Sequence, residues 1–270
     1  MRLNKVYLQG KKNEAACEDG YVFSEHYAAV VDGVTSKSEH LFWGKTPGKI
    51  GMETVCREIP LLEGDLSVEQ AVGKLTEALR SVREQMAREH EVTLQEYPRA
   101  CAAIYSRARR EIWLIGDCQC CVNGKVHTNA KKIDDVLMHL RSFVLQCEQI
   151  AGKTEEALRA DDPGRQAILP FLKKQFLFEN RTGLFGYPVL NGETIQEEQL
   201  VVIPVGVGSL VTLATDGYPV LSESFEQSEA VLRECLEKDP FCYRENLQTK
   251  GMQIGNGSFD DRCFLQFTTK

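Results

Sequence analysis

Four aspartates of this chain stand where strand-like apolar runs begin or end. Asp32 ends AAVVD and Asp216 ends LVTLATD, and a glycine follows each of them. Asp117 ends IWLIGD, and Asp260 stands just before the apolar run RCFLQF. A side chain at a strand end can reach a cleft while the core holds the strand, and the glycine lets the backbone approach a ligand closely. Taken singly, each aspartate is also explained by an ordinary turn, because Asp-Gly is a common turn sequence.

The recurrence of this pattern predicts a cation site. Carboxylates that converge repel one another unless a cation joins them. Hard oxygen ligands favour magnesium, manganese or calcium over zinc or copper. Other catalytic signals are missing: the chain has no GxSxG, no HExxH and only five histidines, none of them in a ligand pair.

The elements that must position these aspartates alternate between strands and helices. Runs rich in Val, Ile, Tyr and Phe predict strands at KVYLQ, YAAVV, RACAAIYS, EIWLIGD, CCVNG, LVVIPV, LVTLAT and RCFLQFT. The clearest helix begins at Ser67, which forms a capping box with Gln70. Two further helices are predicted within residues 132–178, with a break at DDPG, and another follows Ser222. Strand pairs separated by helices are typical of an α+β layered fold.

Composition narrows the class of protein. The chain has 270 residues, 43% of them hydrophobic, and shows no linker or repeat, so we expect a single domain over residues 1–270. A formal charge of -7 with scattered lysine and arginine disfavours nucleic acid as a partner. No run approaches the roughly 18 apolar residues of a membrane span, and the N-terminus has no apolar signal region. The sequence therefore predicts a soluble, cytoplasmic protein that does not engage a membrane.

The ten cysteines favour reduced side chains over a disulfide framework or a zinc site. Five stand singly in apolar patterns, as buried thiols do: Cys56, Cys101, Cys147, Cys235 and Cys263. The cluster GDCQCC at residues 116–121 lacks a second CxxC or a paired histidine, so zinc binding there is disfavoured.

The order of the motifs resembles a known family. The series KKNEAACEDG, AAVVDGVTS, RACAAIYSRARREIWLIGDCQ, LVTLATDG and GSFDDRCFLQF is similar to the metal-dependent type 2C (PPM family) serine/threonine protein phosphatases, from about residue 4 to residue 268. The resemblance implies a central antiparallel β-sandwich flanked by helices, in four αββα layers. It also implies Mn²⁺- or Mg²⁺-dependent hydrolysis of phosphoserine and phosphothreonine in a phosphorylated protein or peptide. In such chemistry, two cations activate a shared water for in-line attack on phosphorus.

The resemblance also implies roles for individual residues. Asp32 would bridge two Mn²⁺ or Mg²⁺ ions, with the carbonyl of Gly33 on one of them. Asp216 and Asp260 would hold the first ion, and Glu14 would serve the second. Two further roles are implied: Asp117 matches the aspartate that helps to bind a third, weaker ion, and Lys11 or Lys12 would contact the substrate phosphate.

Several departures from the family leave alternatives open. Where the family has Asn-Glu-Asp, the chain has Asn13-Glu14-Ala15, with Glu18 or Asp19 as a replacement for the missing aspartate. We call residues 125–182 the helical segment; it is unlike the family's flap, and we expect it to cover the cleft without supplying metal ligands. The lost aspartate favours a pseudophosphatase that acts as a binding or regulatory module. The helical segment favours a two-metal hydrolase of small phosphoesters.

Overall fold

The chain folds into two five-stranded antiparallel sheets, as a computed structural model describes for residues 1–270. One sheet has the order β1-β10-β9-β6-β7, and the other has the order β2-β3-β4-β5-β8. The strands are β1 (Arg2–Gln9), β2 (Asp19–Phe23), β3 (Tyr27–Gly33), β4 (Ala100–Ser106), β5 (Glu111–Ile115), β6 (Gln119–Val122), β7 (Lys125–His127), β8 (Val201–Pro204), β9 (Leu210–Ala214) and β10 (Arg262–Thr268). All eight strands predicted from the sequence are present, and β2 and β7 are added to them.

Six α-helices accompany the sheets: α1 (Pro47–Glu58), α2 (Val68–Glu89), α3 (Lys132–Ile150), α4 (Glu155–Ala160), α5 (Pro163–Leu172) and α6 (Phe225–Lys238). The capping box of α2 is confirmed, because the Ser67 side chain accepts from the Gln70 N–H and the Gln70 side chain accepts from the Ser67 N–H. The sequence patterns missed α1, and two predicted helices in the helical segment are in fact three. No helix combines the length and apolarity needed to cross a bilayer.

Alternating side chains divide the interior into layers. On β3, Ala28 and Val30 face the core between the two sheets, whereas Ala29 and Val31 face the core beneath α1 and α2. On the opposite outer face, Phe264 of β10 packs with Tyr218 and the partly buried Phe225 of α6. The predicted α+β fold, an antiparallel sandwich flanked by helices, is therefore confirmed.

The helical segment lies largely outside these two main cores, although Ile133 packs against the core between the sheets. It begins with β7 at the edge of one sheet, and its helices then form small apolar clusters, one of which also includes Phe241 and Tyr243. On α3, the fully buried guanidinium of Arg141 donates to Asp162 and to the carbonyls of Phe241, Cys242 and Gln248. This arginine ties α3 to the start of α5 and to the loop of residues 239–252.

Two expectations about side-chain burial fail in this segment. The spacing of Ile133, Val136, Leu137, Leu140 and Val144 predicts a buried apolar stripe on α3. Val136 and Leu140 are nevertheless exposed, because the buried face also includes Arg141 and Ser142. Cys147 is also exposed on α3, whereas Cys101 and Cys263 are buried as expected. All ten cysteines are free thiols.

Candidate metal centre

Three of the predicted aspartates meet at one end of the sandwich. One carboxylate oxygen from each of Asp32, Asp117 and Asp216 lies within 4.8 Å of the other two. Asp32 is the penultimate residue of β3, Asp117 lies between β5 and β6, and Asp216 follows β9. The antiparallel register puts these strand ends side by side, because Asp32 pairs with Cys101 and Ala214 pairs with Gln119. We call Asp32, Asp117 and Asp216 the carboxylate cluster.

Asp260 lines the same cavity but is already paired with lysines. Lys11 Nζ donates to Asp260 Oδ1 at 3.0 Å, and Lys250 Nζ forms an ion pair with Asp260 Oδ2. Although burial acts in the opposite direction, Lys250 and Lys11 hold the pKa of Asp260 well below its usual range. The structure thus separates Asp260 from the carboxylate cluster, which the sequence patterns did not anticipate.

The carboxylate cluster is electrostatically strained. Burial raises the pKa of Asp32 well above its usual value, and the charges of Asp19, Asp117 and Asp260 raise it further. Burial also raises the pKa of Asp216, and the charges of Asp32 and Asp260 add to the effect. Neither carboxylate therefore has enough positive charge nearby to offset its burial and its acidic neighbours.

Asp117 differs because a lysine lies against it. Lys131 Nζ contacts Asp117 Oδ2 at 2.7 Å and lies 3.7 Å from Asp134 Oδ2. Burial alone would raise the pKa of Asp117, but Lys131 lowers it overall. The other oxygen, Asp117 Oδ1, is buried without a hydrogen-bond partner.

This donor set fits a divalent cation. Three carboxylates close together offer hard oxygen ligands, and only one ammonium group is in direct contact with them. The unpartnered Asp117 Oδ1 is a further oxygen that lacks a positive or hydrogen-bonding neighbour. A cation in the carboxylate cluster would relieve the repulsion that raises the pKa values of Asp32 and Asp216.

The cavity that holds the carboxylate cluster has a volume of about 120 Å³. The helical segment supplies part of its wall, through Lys131, Asp134, Met138, Leu172 and Gln175. The expectation that this segment covers the cleft therefore agrees with the geometry, although Asp134 adds a carboxylate. No sequence motif marks these wall residues, because their position depends on how α3 and α5 pack.

The cavity also contains Lys37 and Lys250, which the sequence analysis did not single out. Lys37 Nζ donates to the carbonyl of Thr35 at 2.9 Å and has no carboxylate partner. Burial, together with the charges of Arg165 and Lys250, lowers the pKa of Lys37 to about 7. An anionic ligand in the cavity would relieve this unpaired positive charge.

The structure does not bring Glu14 into the cavity. Its side chain is exposed on the turn after β1, and the buried acidic pair of this region is Glu18 and Asp19. Asp19 lies directly opposite Asp32 in the β2–β3 register, and it accepts a hydrogen bond from Thr215 Oγ1 at 2.6 Å. Glu18 accepts from the hydroxyls of Thr35 and Thr46. Asp19, one of the two residues considered as replacements, is thus the acidic neighbour of Asp32.

The two predicted phosphate-binding lysines differ in their surroundings. Lys11 is held by Asp260 and by Asp261 Oδ2 at 3.2 Å. Burial lowers the pKa of Lys11, but these two carboxylates outweigh burial and raise it overall. Lys12 is exposed and does not line the cavity.

Close packing of the backbone explains the glycines that follow Asp32 and Asp216. A Cβ on Gly33 would lie 2.2 Å from the carbonyl oxygen of Gly48 at the start of α1. A Cβ on Gly217 would lie 2.0 Å from the carbonyl oxygen of Asp261. Both glycines let neighbouring segments approach and so fix the aspartates in place. Gly33 is not among the residues that line the cavity.

No family model matches the chain, and no curated protein sequence is similar to it. Several solved structures match over nearly its whole length. The serine/threonine phosphatase PstP/Ppp of Mycobacterium tuberculosis has 17% identity and a TM-score of 0.48, with 98% of each chain covered. The S. agalactiae serine/threonine phosphatase has 10% identity and a TM-score of 0.49, with 97% of each chain covered.

A further match is RsbX in complex with magnesium, at 12% identity and a TM-score of 0.46, covering 98% of this chain and 94% of RsbX. The matches thus include serine/threonine phosphatases, the class that the sequence motifs resemble.

Proposed function

We propose that this protein is a metal-dependent phosphoprotein phosphatase that hydrolyses phosphoserine and phosphothreonine. The observation that carries the proposal is the carboxylate cluster, whose oxygens lie within 4.8 Å of one another in a cavity that also contains Lys37 and Lys250. Carboxylates can bind the cations that phosphoester hydrolysis by metal ions requires. Lysines beside them can bind the phosphate of the substrate and stabilise its charge.

The residues of the chain have distinct parts in this proposal. Asp32, Asp117 and Asp216 would hold Mn²⁺ or Mg²⁺, with Asp260 as a further ligand once Lys250 moves away from it. A bound cation supplies Lewis acidity, which activates water and neutralises the charge of the phosphoryl group. Lys37, which lines the same cavity, would orient the phosphoryl oxygens. The side chains of Met138 on α3 and Leu172 on α5 add apolar lining, which would limit the access of bulk water.

The test is hydrolysis by the purified protein after treatment with EDTA. We expect no hydrolysis of an aryl phosphate in EDTA, and recovery on titration with Mn²⁺ or Mg²⁺. The substitutions Asp32→Asn and Asp216→Asn should each lower the metal-restored kcat at least about 100-fold, because a neutral amide is a poor substitute for an anionic ligand. Unchanged rates in EDTA would refute the metal mechanism.

The substrate class needs a separate comparison. A panel of phosphoserine and phosphothreonine peptides should be hydrolysed with higher kcat/KM than a panel of nucleotides. The reverse order would favour a hydrolase of small phosphoesters.

The ion pairs of Asp260 favour a second candidate, a pseudophosphatase that binds phosphorylated partners without hydrolysis. With Lys11 and Lys250 on Asp260 and Lys131 on Asp117, three ammonium groups already contact carboxylates of the cavity. Binding of a phosphopeptide without turnover at any Mn²⁺ concentration would establish this candidate instead.

A further inference from the structure

A second and larger cleft adjoins the cavity of the carboxylate cluster. It has a volume of about 510 Å³ and lies between α4, the start of α5 and the loop of residues 250–259. Thr35 and Lys250 line both spaces, so the two are adjacent at these residues. We call the larger space the basic cleft, because its walls carry four cationic side chains: Lys11, Arg159, Arg165 and Lys250.

Two of these cations, both from the helical segment, have no carboxylate partner. The Nε of Arg159 on α4 is buried and makes no hydrogen bond. Arg165 on α5 donates through Nη1 to the carbonyl of Thr249 at 2.8 Å, and this is its only side-chain hydrogen bond. Burial lowers the pKa of Arg165, and the nearby charge of Arg141 lowers it further. Both side chains are partly buried, and a guanidinium partly withdrawn from water without an anion is costly unless a ligand supplies one.

The one carboxylate of the basic cleft is already engaged. Asp162 accepts hydrogen bonds from the buried Arg141 through Oδ2, at 2.8 and 3.0 Å. Its Oδ1 accepts from the backbone N–H of Arg165 at 2.7 Å and thereby caps α5. Arg159 and Arg165 therefore remain free to bind an anion from outside, in a protein whose formal charge is -7.

We propose that the basic cleft binds a second anionic side chain of the phosphopeptide whose phosphorylated residue enters the cavity of the carboxylate cluster. Arg159 and Arg165 would bind this anion, which is a carboxylate or a second phosphate close in sequence to the scissile phosphoresidue. This inference rests on the proposed function and names its substrate class, which is acidic or multiply phosphorylated peptides.

The remaining walls suit a peptide. Phe241, Ile254 and Phe259 provide apolar surface beside the guanidinium groups, which fits the methylene carbons and backbone of a polypeptide. Guanidinium groups bind carboxylate and phosphate through paired N–H donors, so both anions are suitable.

The first experiment measures kcat/KM of the Mn²⁺-loaded protein for three phosphoserine peptides. They differ only in the flanking residues, which are glutamine, glutamate or a second phosphoserine. We expect about a fivefold to tenfold preference for the two acidic peptides over the glutamine peptide, as charge-assisted hydrogen bonds at a partly open site provide. The comparison of glutamate with phosphoserine tells which anion the cleft prefers.

The variants Arg159→Gln and Arg165→Gln, alone and combined, should bring this ratio close to one. The matched control is Arg88→Gln, which removes an exposed arginine from α2 and should keep the wild-type ratio. A preference that is the same in wild type, the double variant and the control would overturn the proposal. Circular dichroism of each variant checks that the fold is retained.

A binding experiment separates this inference from the proposed function. The three peptides, labelled with a fluorophore, are titrated with the Asp216→Asn protein, so that no turnover is needed. Tighter binding of the acidic peptides that depends on Arg159 and Arg165 supports the basic cleft even if no hydrolysis is ever observed. Equal binding of all three peptides would refute the basic cleft while leaving the phosphatase proposal intact.

Discussion

Replacing Asp216 by asparagine removes one negative charge from the carboxylate cluster without changing the size of the side chain. Two unit charges 4.8 Å apart repel by about 3 kcal/mol at an effective dielectric constant of 20. Asp216 faces two such neighbours, Asp32 and Asp117. The metal-free protein limits this repulsion by holding protons, as the raised pKa values of Asp32 and Asp216 indicate. We therefore expect Asp216→Asn to stabilise the metal-free protein by about 2 kcal/mol, or about 4–8 °C in Tm.

The order of stability of the two proteins should reverse when a cation is present. A ligand at 100 times its Kd stabilises the folded state by about 2.7 kcal/mol, and the wild-type protein has all three anionic ligands of the cluster. The Asp216→Asn variant has only two of these anionic ligands, so the same Mn²⁺ concentration stabilises its folded state much less. The variant should melt above the wild type in EDTA and below it in excess Mn²⁺.

The assay is differential scanning calorimetry of both proteins in EDTA and in MnCl₂. The matched control is Asp65→Asn, an exposed aspartate in the loop before α2, which should shift neither transition. A wild-type Tm that does not respond to Mn²⁺ or Mg²⁺, together with a variant less stable than wild type in EDTA, would refute the electrostatic reasoning.

Three further outcomes follow from the same contacts. The pKa of Asp216 in the folded protein is raised above its unfolded value near 3.8, so the metal-free wild type loses stability as pH rises above about 4. In urea titrations with EDTA, the free energy of unfolding of Asp216→Asn should therefore exceed that of the wild type by a margin that increases from pH 5 to pH 8. The pKa of Lys37 in the folded protein is lowered from 10.5 to about 7, so the wild type gains stability as pH rises from 7 to 10.5. Lys37→Met should therefore be more stable than the wild type by about 1–3 kcal/mol at pH 6, and the difference should decrease towards pH 10.5. Equal stability of the two proteins at pH 6 would contradict the burial of an unpaired ammonium group. Arg141→Leu leaves Asp162 and three backbone carbonyls without their hydrogen-bond donor, so we expect a loss of about 3–5 kcal/mol of local stability. Hydrogen exchange should become faster in α3, α5 and residues 239–252 but not in β3 or β4. The control is Arg57→Leu, at an exposed arginine, and a uniform increase in exchange across the molecule would show that the helical segment belongs to the main core.

Local sequence patterns are sufficient to predict most of the layered fold. Strands such as β3 and β9 are short apolar runs bounded by turn residues, and the capping box of Ser67 and Gln70 indicates where α2 begins. These signals are local, since each depends on residues a few positions apart. The placement of Asp32, Asp117 and Asp216 at strand ends is local in the same way, and it was enough to predict carboxylates at one edge of the sandwich.

Tertiary structure decided which charges share the cavity. Asp260 contacts Lys11, which is 249 positions away in the sequence, and it also contacts Lys250, while Asp117 contacts Lys131. Asp19 rather than Glu14 lies beside Asp32, because strand β2, which the patterns missed, pairs with β3 in a register that places them opposite each other. Ion pairs and strand registers depend on which distant segments pack together, and packing is a property of the whole chain. The local pattern therefore specifies where an aspartate stands on its own strand, and only the packed fold specifies which cation or carboxylate faces it.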